Sequence, residues 1–377
     1  MAERRSPGLF DEPDTAPTTR DIARLVKAGG IAALPDAVQR ADRATYQEIR
    51  CRSALNRAHG MPFFTWTLNP YRGCTHGCHY CFARKYQPHL ELGAGDDFAS
   101  VIFAKTNIAD VLRRELTGPS RPTDQVAVGT ATDPYQPIEG TYGLTRRCLE
   151  TFRLWPTPLG IVTKGPMVVR DIDVLRELSA HTKISVYLSV PSLDDDAWRR
   201  LEPGTAAPLQ RLRAVRALTD AGIHCGVLMA PLVPGITTRP SLIEATVKAA
   251  ADHGARSVGA MVLHLEGGTR THFLRVLATE YPHLVEGYER LFAKKYAPAS
   301  YTGEVGRIVG LLKARYGVAS RAEAVGPSAP APNTPVQAPL RFVRGAATGA
   351  AVTTPVPTGL DASAGTAAHR PAKAAGR

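Results

Sequence analysis

The hydrophobic pattern alternates between short apolar runs and longer amphipathic segments over most of the chain. The apolar runs predict strands at 63–68, 125–129, 159–163, 183–189, 222–232 and 257–264. The amphipathic segments predict helices at 145–154, 171–180, 209–221, 241–253 and 271–292. Continuous apolar strands alternating with helices are typical of a parallel sheet with helices outside it. Six repeats are three-quarters of the eight in a closed barrel, so the predicted fold is α/β, a partial (β/α)6 TIM-type barrel.

Further segments extend this core on both sides. A strand at 101–105 and a helix at 107–116 are predicted as an insertion after the first strand. A last amphipathic helix is predicted at 302–316, and the upstream segments 22–34 and 42–55 have helical character.

These elements divide the chain into five parts. Residues 1–20, polar and proline-containing, are predicted to be a disordered arm, and 21–60 a helical extension. The core is assigned to 61–270, and 271–319 to helices that cap the barrel. Residues 320–377 consist largely of Ala, Pro, Thr and Gly and predict a disordered tail.

Three cysteines crowd into a glycine-containing loop that follows the first predicted strand. Cys74, Cys78 and Cys81 have the spacing Cys-x3-Cys-x2-Cys, and Gly73 and Gly77 allow the positive φ angles of a tight wrap. Such crowding indicates a metal centre, because consecutive turns of backbone bring each thiolate to one small object.

More than one metal centre is compatible with this spacing. A four-iron cluster normally takes four cysteines, so three would leave one iron open for chemistry. A structural zinc site needs a fourth ligand, which His76 or His79 could supply as Cys3His. A disulfide framework does not fit such tight spacing in a chain without a secretory signal. Cys51, Cys148 and Cys225 are predicted to be small buried residues.

Composition bears on location and partners. No apolar segment opens the chain, and the longest apolar stretch, 222–236, falls short of the roughly 20 residues that span a bilayer. A cytoplasmic protein without membrane contact is therefore expected. The formal net charge of +12 favours a polyanionic partner such as nucleic acid. The arginine preference of a GC-rich genome explains this charge equally well, so both interpretations stay open.

The cysteine motif resembles that of the radical S-adenosylmethionine (SAM) superfamily, in which an aromatic residue, here Tyr80, precedes the last cysteine. The similarity extends to the group around spore photoproduct lyase, though not to the lyase itself, and covers roughly residues 50 to 270. The matching segments, besides 69–84, are 129–137, 163–164, 170–172, 201–203 and 230–231.

This resemblance implies a radical SAM enzyme. Cys74, Cys78 and Cys81 would hold a [4Fe-4S] cluster whose open iron binds SAM. Reductive cleavage of SAM would give a 5′-deoxyadenosyl radical that abstracts hydrogen from a substrate, which the sequence does not name. A flavodoxin- or ferredoxin-like protein would donate the electron. The alternatives are a zinc-stabilised nucleic-acid-binding protein and an iron–sulfur electron carrier.

The resemblance also implies a set of site residues, most of which follow predicted strands, where reactive groups of parallel α/β folds gather. The residues implied to bind SAM are Tyr80, Thr132, Lys164, Ser189 and Ala230. Glu202 and Arg211 are assigned either to SAM or to a buried pair that organises their loop. Asp133 and Glu139 are the predicted catalytic residues.

Two departures from the lyase concern hydrogen-atom donors. Thr130 stands where the lyase-type motif has a cysteine, and Phe82 follows the third cluster cysteine where the lyase has a tyrosine. A threonine O–H and a phenyl C–H are poorer hydrogen-atom donors than a thiol and a phenol. Repair of the thymine spore lesion is therefore not expected.

Overall fold

Eight strands form one sheet, mostly parallel, in the computed structural model, which describes residues 44–58, 63–90, 94–119 and 121–320. The strands in chain order are β1 (Thr45–Ile49), β2 (Leu55–Arg57), β3 (Trp66–Leu68), β4 (Tyr71–Arg72), β5 (Val101–Lys105), β6 (Val126–Val128), β7 (Leu159–Thr163), β8 (Ile184–Ser189), β9 (Cys225–Leu232), β10 (Ser257–Val262) and β11 (Ala319–Ser320). The large sheet has the order β2-β3-β6-β7-β8-β9-β10-β11. Only β2 runs antiparallel to its neighbour in that sheet.

Helices follow the parallel strands and cover the sheet. They are α1 (Asp97–Ser100), α2 (Ile108–Thr117), α3 (Glu139–Tyr142), α4 (Leu144–Leu154), α5 (Ile172–Ser179), α6 (Asp195–Leu201), α7 (Pro208–Asp220), α8 (Pro240–Asp252), α9 (Gly267–Glu280), α10 (Val285–Leu291) and α11 (Ala299–Arg315). In the described part of the chain, 3₁₀ helices occupy Phe82–Leu90, Pro166–Asp171 and Pro282–Leu284. The strands β3 and β6 to β10 are the six predicted repeats, so the partial (β/α)6 barrel is confirmed.

The register of the strands brings their carboxyl ends to one rim. Across the sheet, Ile161 pairs with Val128 on one side and Val186 on the other, and Val186 pairs with Cys225. Every residue of β8 is buried. Apolar side chains on both faces explain why these strands read as continuous hydrophobic runs, and the loops that follow them converge at the same edge.

The prediction of a helical extension over 21–60 was wrong for the part that the structure describes. Residues 45–49 form β1, which pairs in parallel with the inserted β5, and β4 lies antiparallel on the other side of β5. In β1 no residue is fully buried, and the pairing with β5 decides its conformation. The predicted helix at 22–34 and the disordered arm at 1–20 lie outside the described residues.

The carboxyl-terminal region departs from prediction at two places. The helical stretch predicted for 271–292 is divided at Pro282, which lacks the backbone N–H that a helix interior needs. The predicted tail, 320–377, starts one residue too early, because Ser320 belongs to β11 and pairs with Val258 of β10. Residues 321–377 lie outside the described part of the chain.

The helices α9, α10 and α11 occupy two different positions. Apolar side chains of α9 and α10 form a cluster with Cys78 and Tyr80 of the loop that carries the cysteines. By contrast, α11 contributes Val305 and Val309 to the main barrel core and packs beside α8. Among the described residues no helix has both the length and the apolar character needed to cross a bilayer.

Candidate functional site

The three cysteines lie on a loop, residues 73–81, which we call the cysteine loop. It leaves β4 at Gly73, whose φ of +78° is a left-handed conformation that favours glycine. A Cβ atom at Gly73 would also lie 2.4 Å from the carbonyl oxygen of Val101, which leaves no room for a side chain. The amide of Cys74 donates to the carbonyl of Phe98 at 2.9 Å, so the inserted α1–β5 segment holds the start of the loop.

Side chains that follow β6 hold the same loop from the other side. The Thr132 hydroxyl donates to the carbonyl of Gly73 at 2.6 Å, and the Gln136 amide donates to the same carbonyl at 3.2 Å and to Thr132 Oγ1 at 3.0 Å. The amide oxygen of Gln136 accepts from the backbone N–H of Thr75 at 3.1 Å. Thr132, predicted to bind SAM, therefore also fixes the backbone of the cysteine loop.

Arg84 holds the far end of the cysteine loop. Its side chain is buried and donates to the carbonyl oxygens of Cys78 at 3.0 Å and Gly77 at 2.7 Å. It also donates to the carbonyls of Ala94 at 2.9 Å and Gly95 at 2.6 Å. One guanidinium thus joins the cysteine loop to the segment before α1, and a planar fork of donors is suited to such a role.

The donor set of the loop fits an iron–sulfur cluster. All three cysteines are free thiols, with Cys74 and Cys78 buried and Cys81 partly exposed. Burial raises the pKa of each thiol, that of Cys78 to about 12. Because the thiolate is the form that binds a metal, each thiol releases its proton to solvent when the metal binds. Three thiols on one short loop are the ligands that iron in such clusters takes.

Each of the two histidines of the zinc alternative has its Nδ1 atom close to another side chain. His76 Nδ1 lies 3.3 Å from Asp133 Oδ2, and His79 Nδ1 lies 3.0 Å from His272 Nε2. In the part of the chain that the structure describes, no three His, Cys, Asp or Glu side chains converge as ligands of a single metal ion.

Tyr80, between the second and third cysteines, is tied to a buried ion pair. Its hydroxyl donates to the Glu202 carboxylate, which also accepts from Arg211 at 2.5 Å. Arg211 donates to Thr205 Oγ1 at 2.6 Å as well. Burial alone would raise the pKa of Glu202, but Arg211 and Lys164 outweigh it and hold that pKa at about 2. Glu202 and Arg211 therefore form a buried ion pair, which is one of the two roles that the sequence analysis gave them.

Lys164 joins this network to the ends of two strands. Its ammonium group donates to Ser189 Oγ at 2.5 Å and lies 3.6 Å from Glu202 Oε1. It also lies 5.7 Å from the centroid of the Tyr80 ring. Ser189 Oγ donates in turn to the carbonyl of Ala230 at 3.2 Å. Lys164, Ser189, Ala230 and Tyr80, which the sequence placed in one SAM site, are thus brought together.

Asp133 is an anchor for the loops that follow β6 and β7. Its carboxylate accepts from Thr163 Oγ1 at 2.6 Å, from the Lys164 amide at 2.7 Å and from the Tyr135 amide at 2.9 Å. Burial acts to raise the pKa of Asp133, but His76 and these donors lower it to about 2. The carboxylate is therefore ionised and bound on both oxygens. Its catalytic role stays a prediction.

Glu139 lies in a different group of side chains from the other predicted residues. It is fully buried and accepts from Tyr71 at 2.5 Å, Arg170 at 2.7 Å, and the backbone amides of Thr145 at 2.9 Å and Arg146 at 3.2 Å. Those two amides belong to the first turn of α4, so Glu139 caps that helix. None of these partners is a predicted SAM-binding residue, and its catalytic role also stays a prediction.

Three residues of the site were missed from the sequence. Arg84 and Gln136 lie inside segments that match the superfamily, but an arginine and a glutamine have no chemistry that singles them out there. Thr205, which accepts from Arg211 and from the Trp198 indole at 2.9 Å, has no sequence signal at all.

Comparisons with known proteins agree with this site. A sequence profile of the radical SAM superfamily matches residues 68–241. Uncharacterized protein Rv2578c of Mycobacterium tuberculosis is 38% identical over 303 residues, which are 79% of this chain and 89% of that protein. The chain belongs to the radical SAM superfamily, which implies an enzyme that uses an iron–sulfur cluster and SAM.

Two more distant similarities concern the fold and part of the sequence. Spore photoproduct lyase complexed with dinucleoside spore photoproduct superposes with a TM-score of 0.58 at 16% identity, over 77% of this chain and 85% of that chain. Radical SAM Nalpha-GlyT isomerase of Pseudomonas phage M6 is 26% identical over 178 residues, 46% of this chain and 34% of that protein. The fold is thus that of the lyase-like group, as the motifs predicted.

Proposed function

We propose that the protein holds a [4Fe-4S] cluster on Cys74, Cys78 and Cys81 and cleaves SAM reductively to start radical chemistry on a substrate. The observation that carries the proposal is the junction of the cysteine loop with the Lys164 network. Tyr80 lies within the motif and reaches Glu202, while Lys164 lies beside both. When bound, the cluster supplies one electron to SAM, which yields methionine and a 5′-deoxyadenosyl radical.

The residues around the loop bind, orient and exclude water. Lys164 offers a cation to the SAM carboxylate, and Ser189 fixes the position of that cation. The Tyr80 ring, held by Glu202, borders a narrow cleft that Pro191, Trp198 and Thr237 also line. Such positioning is what a protein contributes when the cofactor carries the difficult chemistry.

We assign the electron supply to a flavodoxin- or ferredoxin-like protein, and the location to the cytoplasm, where a reducing environment keeps the cysteines free to bind a cluster. A nucleic-acid substrate is the proposal that the basic charge supports. The solved neighbour with a dinucleoside photoproduct binds a nucleic-acid fragment, in keeping with this class.

Anaerobic reconstitution tests the proposal. The wild-type protein should be brown, contain about four irons per chain and form 5′-deoxyadenosine from SAM after reduction. Cys78→Ala should abolish 5′-deoxyadenosine, whereas Cys225→Ala, which alters a buried thiol in β9, should keep both iron and product. An iron-loaded protein without product would indicate an electron carrier, and zinc in place of iron a structural site; either contradicts the proposal.

Lesion repair is the activity that we expect to be missing. The purified, reduced protein should form 5′-deoxyadenosine but should leave the thymine spore photoproduct unchanged in an assay that follows its conversion back to two intact thymine nucleosides. The reason is that Thr130, whose hydroxyl accepts from Asn69 at 3.2 Å, replaces the thiol donor, and Phe82 replaces the phenol. Efficient reversal of the lesion would show that these two departures do not determine the substrate.

Removing the Lys164 charge should weaken SAM binding. Lys164→Met is expected to raise the Kd for SAM about 10- to 100-fold, because a charge-assisted hydrogen bond to a carboxylate contributes roughly 1.5–3 kcal/mol. Equilibrium dialysis with labelled SAM measures this change. Lys248→Met, which removes an exposed lysine paired with Asp252, is the matched control and should leave the Kd unchanged. If Lys164→Met and Lys248→Met bind SAM with the same Kd, Lys164 does not contact SAM.

A further inference from the structure

A row of four aromatic rings leads away from the cysteine loop. Phe82 directly follows Cys81, and its ring centroid lies 6.4 Å from that of Tyr86 and 6.2 Å from that of His264. The row continues to Tyr296, whose ring lies 5.6 Å from His264. We call these four residues the aromatic row.

Three of the four rings of the aromatic row are exposed, although the row adjoins a buried site. Phe82 is 39% exposed, Tyr86 37% and Tyr296 60%. His264 follows β10 at the carboxyl rim of the barrel and forms a backbone bridge with Tyr296. Exposed aromatic rings that touch one another next to a reactive centre are typical of a surface that binds a ligand.

Cations border the aromatic row on both sides. The Lys85 ammonium lies 5.2 Å from the Tyr86 ring and the Lys295 ammonium 5.1 Å from the Tyr296 ring. Both pair with Glu266 at 2.5 Å, so two positive charges face one negative charge. Arg72 adds a third cation, which donates to the carbonyl of Tyr86 at 2.8 Å.

The charge of the whole barrel has the same sign. Residues 1–43 carry seven basic and seven acidic side chains, and residues 321–377 carry six basic and two acidic ones. Of the net charge of +12, the difference of +8 therefore belongs to residues 44–320. A basic surface with interleaved aromatic rings is the combination that binds single-stranded nucleic acids.

We propose that the aromatic row is a stacking surface for the unpaired bases of a single-stranded nucleic acid, which it feeds towards the cysteine loop. The proposal rests on the function proposed above, since it makes the bound strand the substrate. The ring separations exceed the step of about 3.4 Å between stacked bases, which suits an extended strand rather than a helix. The bases of a duplex are paired and cannot reach the rings.

Fluorescence anisotropy tests the row with the reconstituted protein and SAM present. The probes are labelled dodecamers of dT and rU and a duplex of equal length. Wild type should bind the single strands more tightly than the duplex, and the dT and rU arms distinguish DNA from RNA. Tyr296→Ala should raise the Kd at least about fivefold, because a base stacked on an aromatic ring contributes appreciably to affinity.

Matched variants separate stacking from charge and from misfolding. Tyr296→Phe keeps the ring and should bind as wild type does. Leu311→Ala removes a side chain that is 73% exposed on α11, and should also bind normally. Equal affinity for duplex and single strand, or no effect of Tyr296→Ala, overturns the proposal, as does binding of an aromatic peptide but no oligonucleotide.

The same experiment keeps the two proposals apart. Formation of 5′-deoxyadenosine without binding of any oligonucleotide would contradict the proposed stacking role of the aromatic row and support SAM cleavage. Binding of single strands by a protein that forms no 5′-deoxyadenosine would contradict the proposed SAM cleavage and support the stacking surface.

Discussion

Glu202→Gln is expected to destabilise the protein by about 3–5 kcal/mol, because it leaves buried positive charge without its counter-ion. The carboxylate is buried and accepts from Arg211 at 2.5 Å, with Lys164 at 3.6 Å. Glutamine has nearly the same shape but no charge, and its amide group would face a guanidinium. The Tyr80 hydroxyl also loses a charged acceptor, so formation of 5′-deoxyadenosine should fall as well.

Denaturant unfolding of the variant measures the loss of stability, and Glu244→Gln is its matched control. Glu244 likewise accepts from an arginine, Arg315 at 2.8 Å, and from a tyrosine, Tyr316 at 2.7 Å, but at the surface. The control should lose no more than about 1 kcal/mol. If both variants lose the same small amount, the pair of Glu202 and Arg211 is not the support that we describe.

Arg84→Met is the second change with a large expected effect. It should reduce the free energy of unfolding by about 3–5 kcal/mol and leave the protein unable to retain most of its iron. Four backbone carbonyls lose their donor, two of them in the cysteine loop, at Gly77 and Cys78. Loss of these bonds frees the far end of the cysteine loop, which carries Cys78 and Cys81.

Iron content and unfolding free energy should be measured together for this variant. Arg84→Lys keeps the charge but not the fork of donors, so it should fall between wild type and Arg84→Met. Arg153→Met, which breaks an exposed pair with Glu177, should change neither quantity appreciably. Full iron content in a folded Arg84→Met protein would show that the cysteine loop holds its shape without the guanidinium.

The barrel could be predicted because its strands are buried on both faces. Strand β7 was predicted at its observed limits, 159–163, and β5 likewise at 101–105. The first strand was predicted too long, since only Trp66–Leu68 pairs within the sheet and Phe63 is 41% exposed. Strand β1 was predicted as a helix because its conformation comes from pairing with β5, 52 or more residues further along the chain.

The candidate site was predicted where a residue type indicates its chemistry. Cysteines at close spacing and a lysine at a strand end carry such information, and the structure brings Lys164, Ser189 and Tyr80 together. Residues that hydrogen-bond to the backbone carry no such information. A buried donor such as Gln136 is recognised only when the structure shows its acceptor. Glu139 shows the reverse: it was predicted to be catalytic, and the structure uses its carboxylate to cap α4.

Two carboxylates stabilise the rim in the structure: Asp133, which was predicted to be catalytic, and Glu202, which was assigned either to SAM or to a buried pair. Asp133 and Glu202 are both ionised, with pKa values held at about 2 by the groups around them. Such low pKa values suit permanent anions that position neighbouring groups, rather than acids that exchange protons near neutral pH. Radical chemistry needs this kind of support, because the reactive step belongs to the cofactor.

The most direct measurement is electron paramagnetic resonance of the anaerobically reduced protein, recorded before and after SAM is added. A cluster held by three cysteines has one iron free, so the spectrum should shift when SAM binds, and SAM labelled with ¹⁵N or ¹⁷O should add couplings from its amino and carboxylate groups. A reduced cluster whose spectrum is unchanged by SAM would mean that its fourth iron is already occupied, and would contradict the proposed function.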